Sequence, residues 1–238
     1  MVTAAILGGG RGTRLGSLTP KQFFELEGES IIIMSLRAFK ESRLVDAAVM
    51  LVPEDFVGYT ESLVAASSLS DESFPVYVLP GGENRSETLF LSLEFIKEKF
   101  GLRDNIVLTH DAARPFINKR IIEDNIIAAK KYGASNTCVP ATDTVFLSSD
   151  GRFIQSVPER KNVFHAQTPQ TFNAEKLYEL CKKMNKEEFY SLTDGCSVFI
   201  NSGEPVFMVR GCENNIKITY PGDIERARDI LKGGFKNG

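Results

Sequence analysis

A short apolar run, Val2–Leu7, stops against Gly8-Gly9-Gly10-Arg11-Gly12-Thr13-Arg14-Leu15-Gly16. A brief, largely apolar segment in that position predicts a strand buried on both faces, as at the centre of a parallel sheet. The glycines let the backbone turn sharply and bring N–H groups against an anion with no Cβ in the way. Open α/β sheets bind their ligands in the crevice at the carboxyl end of such a strand. Five glycines and three cations (Arg11, Arg14, Lys21) fall within 14 residues, more than a bare turn requires. The chemical reading is a triphosphate cradle, with Arg14 and, after Pro20, Lys21 supplying full positive charge. Two familiar phosphate loops fail on spacing. A P-loop needs a lysine directly after its last glycine, and the dinucleotide fingerprint needs a third glycine where Thr13 or Leu15 stands.

The rest of the chain repeats the strand–helix rhythm. Strands are predicted at Asp46–Val52, Val76–Leu79, Ile106–Thr109 and Thr137–Pro140, and helices at Ser30–Lys40, Glu54–Ala66, Arg85–Phe100 and Arg120–Tyr132. Such alternation implies a single doubly wound, mostly parallel sheet of the α/β class, covered on both faces. Residues 141–172 break the rhythm. Thr144–Leu147 and Arg152–Val157 flank the turn Ser149-Asp150-Gly151, which predicts a β-hairpin arm projecting from the sheet. Ala174–Asn185 returns to helix, Glu204–Val209 and Asn215–Thr219 read as late strands, and Asp223–Leu231 as a closing helix. No repeat or linker divides residues 1–238, so one domain with an arm is expected.

Composition narrows the function. With 28 basic and 31 acidic residues the formal net charge is −3, which argues against a nucleic-acid or acidic-membrane partner. No apolar run approaches the roughly 20 residues of a membrane span. The N-terminus has no basic region before its apolar run, so a cytoplasmic location is expected. The four cysteines are far apart, and two histidines, His110 and His165, offer no zinc cluster.

Read together as G-G-G-x-G-T-R-L-G-x-x-x-P-K-Q, Gly8 to Gln22 resembles the sugar-nucleotidyltransferase signature. Pro20-Lys21-Gln22 narrows this to two sister families of cytidylyltransferases, one making CDP-methylerythritol for isoprenoid synthesis and the other CDP-ribitol for wall polymers. Four further segments fall where those families have motifs. They are Gly81-Gly82-Glu83-Asn84-Arg85-Ser86-Glu87-Thr88, His110-Asp111-Ala112-Ala113-Arg114-Pro115, Gln167-Thr168-Pro169-Gln170-Thr171-Phe172 and Asn215-Ile216-Lys217-Ile218-Thr219. The resemblance spans residues 3–231 and implies a Rossmann-like nucleotidyltransferase fold.

It also implies roles. CTP would lie on Leu7, Gly8, Gly9, Gly10 and Gly12, with its base and ribose against Gly81, Gly82, Glu83, Arg85 and Thr88. Arg14, Lys21, Arg160 and Lys217 are the candidate catalytic cations. Asp111 would hold Mg²⁺ and, with Arg114, Thr144, Arg160, Thr168, Thr193 and Lys217, the polyol phosphate. In these families the arm reaches a second subunit, so a homodimer is implied, with Thr144 and Arg160 serving the partner's pocket. No general base is evident, and none is needed. A phosphate monoester has its second pKa near ~6 and is already a nucleophilic dianion at pH 7, so the enzyme must hold two repelling anions in line.

Between the two acceptors the sequence leans to ribitol 5-phosphate. The acid of a T-D-x-x-x-x-x-E pattern is missing, with Ile200 following Thr193-Asp194 and Phe199. Thr109, Pro115-Phe116-Ile117, Arg120, Asn125 and Pro158-x-Arg160 look more like the ribitol type, whereas Ala112-Ala113 is the methylerythritol form. 2-C-methyl-D-erythritol 4-phosphate is the alternative. A dehydrogenase would need the missing glycine, and a non-catalytic nucleotide-binding module would be expected to lose Lys21, Asp111 or Lys217.

Overall fold

The apolar runs that open the chain become the centre of a sheet. A computed structural model describes residues 1–10 and 19–233, so Gly12 and Arg14 lie outside the described residues. In chain order the strands are β1 (Val2–Leu7), β2 (Glu25–Leu26), β3 (Glu29–Ser30), β4 (Ala47–Val52), β5 (Val76–Pro80), β6 (Ile106–Asp111), β7 (Ala134–Pro140), β8 (Phe164–Asn173) and β9 (Phe207–Arg210). The helices are α1 (Ile31–Ser42), α2 (Val57–Ser67), α3 (Arg85–Phe100), α4 (Lys119–Tyr132), α5 (Ala174–Lys183), α6 (Lys186–Ser191), α7 (Cys196–Asn201) and α8 (Pro221–Lys232).

The main sheet has seven strands in the order β5-β4-β1-β6-β8-β7-β9. β1 pairs in parallel with β4 and β6, β4 with β5, and β7 with β9. Only β8 runs against its neighbours β6 and β7. All six residues of β1, β4 and β6 are buried, as central strands covered on both faces must be. Alternation along β1 sends Ala4 and Ile6 to a core shared with Leu36 and Phe39 of α1 and Ile122 of α4. Ala5 and Leu7 face the other way, onto Leu89 and Leu93 of α3 and Leu177 of α5. Helices α3, α4 and α5 begin at side-chain caps: Asn84, Asn118 and Asn173 each accept an N–H three residues on, at 2.9, 3.0 and 2.9 Å. Among the described residues no helix is long and apolar enough to cross a membrane.

Several expectations need correction. The arm is shorter and less regular than predicted. Its hairpin reduces to one antiparallel bridge, Leu147 to Ser156, closed around an Asx-type turn in which Asp150 accepts the N–H of Arg152 at 2.8 Å and of Phe153 at 3.0 Å. Residues 164–172 are not arm at all. They form β8, where Gln167, Thr168 and Gln170 are buried between β6 and β7 and hydrogen-bonded. Asn215–Thr219 is not a strand. It lies beside the sheet, and Ile218 N–H donates to Ala113 O at 2.9 Å. The other late strand begins at Phe207 rather than Glu204, and α6 and α7 are additional short helices.

Candidate active site

At the carboxyl ends of β1 and β6 the sheet opens into a cleft of about 370 Å³. One wall is the backbone of Leu7, Gly8, Gly9 and Gly10, and the opposite wall is the α3 approach with Gly82, Glu83, Arg85 and Thr88. These walls touch where side chains are missing. A Cβ on Gly81 would stand 3.2 Å from Gly9 Cα, and one on Gly9 would stand 3.3 Å from Thr88 Oγ1. At Gly82 a Cβ would collide with Glu87, whose carboxylate accepts the N–H of Glu83 at 2.6 Å. Thr88 Oγ1 accepts from Gly82 N–H at 3.1 Å and donates to Asn84 O at 2.8 Å, so the loop is tied to the first turn of α3. A short 3₁₀ turn, Lys21–Phe23, brings Lys21 to the rim, anchored by Phe23 stacked on Phe56 at 4.8 Å.

The floor is charged. Asp111, the last residue of β6, receives Lys217 Nζ on Oδ2 at 2.9 Å, Arg114 Nε on Oδ2 at 3.5 Å and Arg85 Nη2 on Oδ1 at 3.4 Å. Lys217 reaches it through alternation. Its neighbours Ile216 and Ile218 are buried with Leu26, Phe116 and Ala227, which turns the intervening side chain outward to the cleft. Burial works to raise the Asp111 carboxyl, but Lys217, Arg85 and Arg114 outweigh it and hold the pKa well below the carboxylate range. Burial lowers the Arg114 pKa against the pull of Asp111. Three cations around one carboxylate leave net positive charge, suited to a polyanion.

Behind the floor lies His110, fully buried. Its Nε2 is 3.0 Å from Arg114 O, a carbonyl that can only accept, so Nε2 carries the proton. Nδ1 then accepts the Thr168 hydroxyl at 2.9 Å, and Thr168 Oγ1 accepts Asp111 N–H at 3.1 Å. Burial pushes the His110 pKa down to about 4. The imidazole is therefore neutral at pH 7, and through Thr168 it is linked to the backbone N–H of Asp111.

The structure thus gathers Leu7, Gly8, Gly9, Gly10, Lys21, Gly82, Glu83, Arg85, Thr88, Asp111 and Lys217 in one cleft, with Gly81 packed behind Gly9. Thr168 is buried beneath Asp111. Arg114, almost wholly buried, donates to Asn215 O at 2.8 Å and so braces the floor from below. Three expected residues stand elsewhere. Thr144 and Arg160 are exposed on the arm, where Arg160 donates to Thr142 O at 3.2 Å, and Thr193 sits on a turn outside the cleft lining. The lining also contains residues not singled out from sequence. Gln22 donates to Gly8 O at 2.6 Å and Gly10 O at 3.2 Å, and Asn84 and Thr219 complete the rim. Gln22 stands in the quoted signature, and its amide is the signal that a loop of bare carbonyls needs a donor.

Among the described residues no three His, Cys, Asp or Glu side chains converge on a metal position. Asp111 alone on the floor suits Mg²⁺, which binds through one or two carboxylates and completes its shell with water and substrate phosphates.

Comparisons with known proteins agree with this geometry. Residues 2–233 match the family model described as IspD, 2-C-methyl-D-erythritol 4-phosphate cytidylyltransferase. Among solved structures, 4-diphosphocytidyl-2C-methyl-D-erythritol synthase from Anaerococcus prevotii superposes with a TM-score of 0.81 at 24% identity, covering 98% of each chain. The 2-C-methyl-D-erythritol 4-phosphate cytidylyltransferase of Francisella tularensis gives 0.75 at 26% identity, covering 95% of this chain and 98% of that one. The Thermus thermophilus enzyme of the same description gives 0.74 at 23% identity, covering 98% and 100%.

Proposed function

Because this chain belongs to the 2-C-methyl-D-erythritol 4-phosphate cytidylyltransferase family, we propose that it transfers CMP from CTP to 2-C-methyl-D-erythritol 4-phosphate and releases pyrophosphate. The observation that carries the reading is the Asp111–Lys217 pair, 2.9 Å apart on the cleft floor and facing the glycine wall of β1. The triphosphate lies along Gly8–Gly10 with Lys21 at its rim, and the base and ribose lie against Gly82, Glu83, Arg85 and Thr88. The acceptor's phosphate dianion attacks the α-phosphorus of CTP, and the bond to the pyrophosphate oxygen breaks. No side chain need take a proton. Lys217 and Lys21 stabilise the charge that builds on the α-phosphate and the leaving group, and Asp111 fixes Lys217 in place. Mg²⁺, held by Asp111 and phosphate oxygens, would add Lewis-acid neutralisation of the phosphates.

Thr144 and Arg160 stand on the exposed arm, outside the cleft lining. This supports a homodimer in which they complete the partner's acceptor pocket, since a two-fold pair is the commonest symmetric assembly.

Three of the positions that lean the sequence toward ribitol 5-phosphate, Asn125, Arg120 and Ile200, do other work. Asn125 is buried and donates to Thr137 Oγ1 and Ile121 O, both at 2.8 Å, which packs α4 on β7. Arg120 pairs with Asp124 at 2.9 Å and caps the carbonyls of Arg210 and Gly211. Ile200, where an acid was expected, is 62% exposed at the end of α7. None of these three lines the cleft, so their identity says little about the acceptor, and the family match favours methylerythritol phosphate. Pyrophosphate release with each nucleoside triphosphate against both polyol phosphates tests the reading. CTP with the methylerythritol compound should be the best pair. Faster turnover with ribitol 5-phosphate would overturn the acceptor, and equal turnover with ATP would overturn the nucleotide.

A further inference from the structure

β8 is the one antiparallel strand of the sheet, and it buries two glutamines three residues apart. Gln167 has a local task. Its Nε2 donates to Cys212 O at 2.8 Å and its Oε1 accepts from Asn215 Nδ2 at 3.3 Å, which holds the segment leading to Lys217.

Gln170 reaches the other way and is only 2% exposed. Its Oε1 lies 3.4 Å from Arg85 Nη2, the same nitrogen that pairs with Asp111 Oδ1, and it accepts the Gly195 N–H at 3.1 Å. Its Nε2 faces Asp194 Oδ1 at 3.3 Å, Asn136 Oδ1 at 3.2 Å and Cys196 Sγ at 3.2 Å. One amide therefore contacts a cation of the cleft wall and three consecutive residues of the turn that carries Thr193. The turn is pressed against the same wall. Ser86, next to Arg85 on α3, donates to Leu192 O at 3.1 Å, and a Cβ on Gly195 would stand 3.0 Å from Phe172 Cζ. Glycine at 195 is what lets the turn approach closely enough for its N–H to find Gln170.

We propose that Gln170 is a positioning residue that holds the Thr193–Cys196 turn in register with Arg85 and Asp111, and so sets the acceptor side of the pocket relative to the nucleotide side. The inference rests on the functional reading above and on Thr193 serving the acceptor phosphate, the role that the family resemblance implies for it. An amide suits the task because it donates to Asp194 while accepting from Arg85 and Gly195, which neither a carboxylate nor an apolar chain can do. Arg85 keeps its bond to Asp111 without Gln170, whereas the turn loses its shared anchor. The defect therefore falls on the acceptor.

The test is steady-state kinetics of Gln170→Met, which keeps the length and much of the volume of the side chain but removes its hydrogen bonds. The acceptor KM should rise about tenfold, the size of one lost net hydrogen bond with its partners left unsatisfied, while the CTP KM and kcat stay within about twofold. Combined with Thr193→Val, the two effects on acceptor KM should fall clearly short of additive, because Gln170 acts through that turn. A wild-type acceptor KM in a folded Gln170→Met protein, or strict additivity, overturns the proposal. A purely structural role would lower Tm and leave the KM ratio alone, which also overturns it. Should Gln170→Met not fold, Gly195→Ala displaces the same turn from Phe172 and must raise acceptor KM selectively, or the proposal fails. If wild-type protein turns over CTP but ignores 2-C-methyl-D-erythritol 4-phosphate, the functional reading has failed instead.

Discussion

The cleft floor and the segment from residue 141 to 163 carry similar candidate chemistry in opposite physical settings. On the floor, Asp111 lies within 3.5 Å of three cations, and its backbone and its neighbour His110 are hydrogen-bonded from behind. On the arm, the Arg160 side chain reaches only Thr142 O among the described residues, and the large apolar side chains Phe146, Leu147, Phe153, Ile154 and Val157 are 52–73% exposed. Oriented charges in a cleft cost no reorganisation when a polyanion arrives. Exposed apolar side chains clustered on one projection mark a surface made for a partner. The contrast is the one the proposed dimer predicts: the described nucleotide side of the cleft is built from one chain, whereas the arm's side would be completed by a partner. Both sides of that comparison can be attacked.

The largest effect belongs to the floor. Asp111→Asn leaves Lys217, Arg85 and the nearly buried Arg114 facing one another without their counter-charge. Chemical denaturation should show a loss of about 3 kcal/mol, the usual scale for breaking a buried charge cluster, and pyrophosphate release should become undetectable. A stable, active Asp111→Asn protein would mean that the floor is not preorganised. Lys217→Ala is milder, because Arg85 and Arg114 still balance Asp111 and the side chain is half-exposed. It should fold normally and lose about 10²–10³ in kcat.

A second measurement asks whether the floor is held from behind. His110 is neutral in the fold with its pKa near 4, below its ordinary 6.5. The unfolded chain therefore binds a proton first as pH falls, and the folded state loses stability between pH 6.5 and 4, with no further loss from this group below that. The shift corresponds to about 3 kcal/mol. Stability profiles of wild type and His110→Gln should diverge across that window alone, the variant having the flatter slope. Parallel profiles would mean that His110 is not buried neutral.

The same contrast explains what the sequence could disclose. β1, β4 and β6 are legible because unbroken apolar runs have few other places to go, and Asp111 and the glycines are legible because strand ends are where such sheets bind ligands. β8 was hidden by its own chemistry. Gln167, Thr168, Gln170 and Thr171 look like solvent-facing residues until each buried amide and hydroxyl finds its place in the fold. Asn215–Thr219 misled in the opposite direction. Its Ile-Lys-Ile alternation has the period of a strand, but among the described residues it pairs with no strand of either sheet. The arm's two short runs flank a Ser-Asp-Gly turn like a hairpin, yet the bonds that order it are local, around Asp150, with one bridge closing the loop.

A smaller effect probes the arm's apolar face. Phe153 is 73% exposed, so Phe153→Ser should leave the stability of an isolated chain within about 0.5 kcal/mol. If the arm is an interface, the same change removes roughly 2 kcal/mol from association. Sedimentation would then show the dimer dissociating at about tenfold or more higher protein concentration than wild type. An unchanged assembly would move the interface elsewhere, or abolish it.

The most delicate test joins the two regions. In the proposed dimer each working pocket takes Lys217 from its own chain and Arg160 from the partner. Homodimers of Lys217→Ala and of Arg160→Ala should each be nearly inactive, the second because the acceptor phosphate loses its cation. After equimolar mixing and subunit exchange, about half of the dimers are mixed. Each mixed dimer has one pocket with neither group and one with both. Activity should therefore return to about a quarter of the wild-type level per dimer, provided the two pockets act independently. The gain is small beside the losses that precede it, yet its sign is decisive, because two defective proteins become active only if a site is shared. If exchange is verified with differently tagged chains and no activity returns, Arg160 serves the cleft of its own chain, and the arm must fold back upon it.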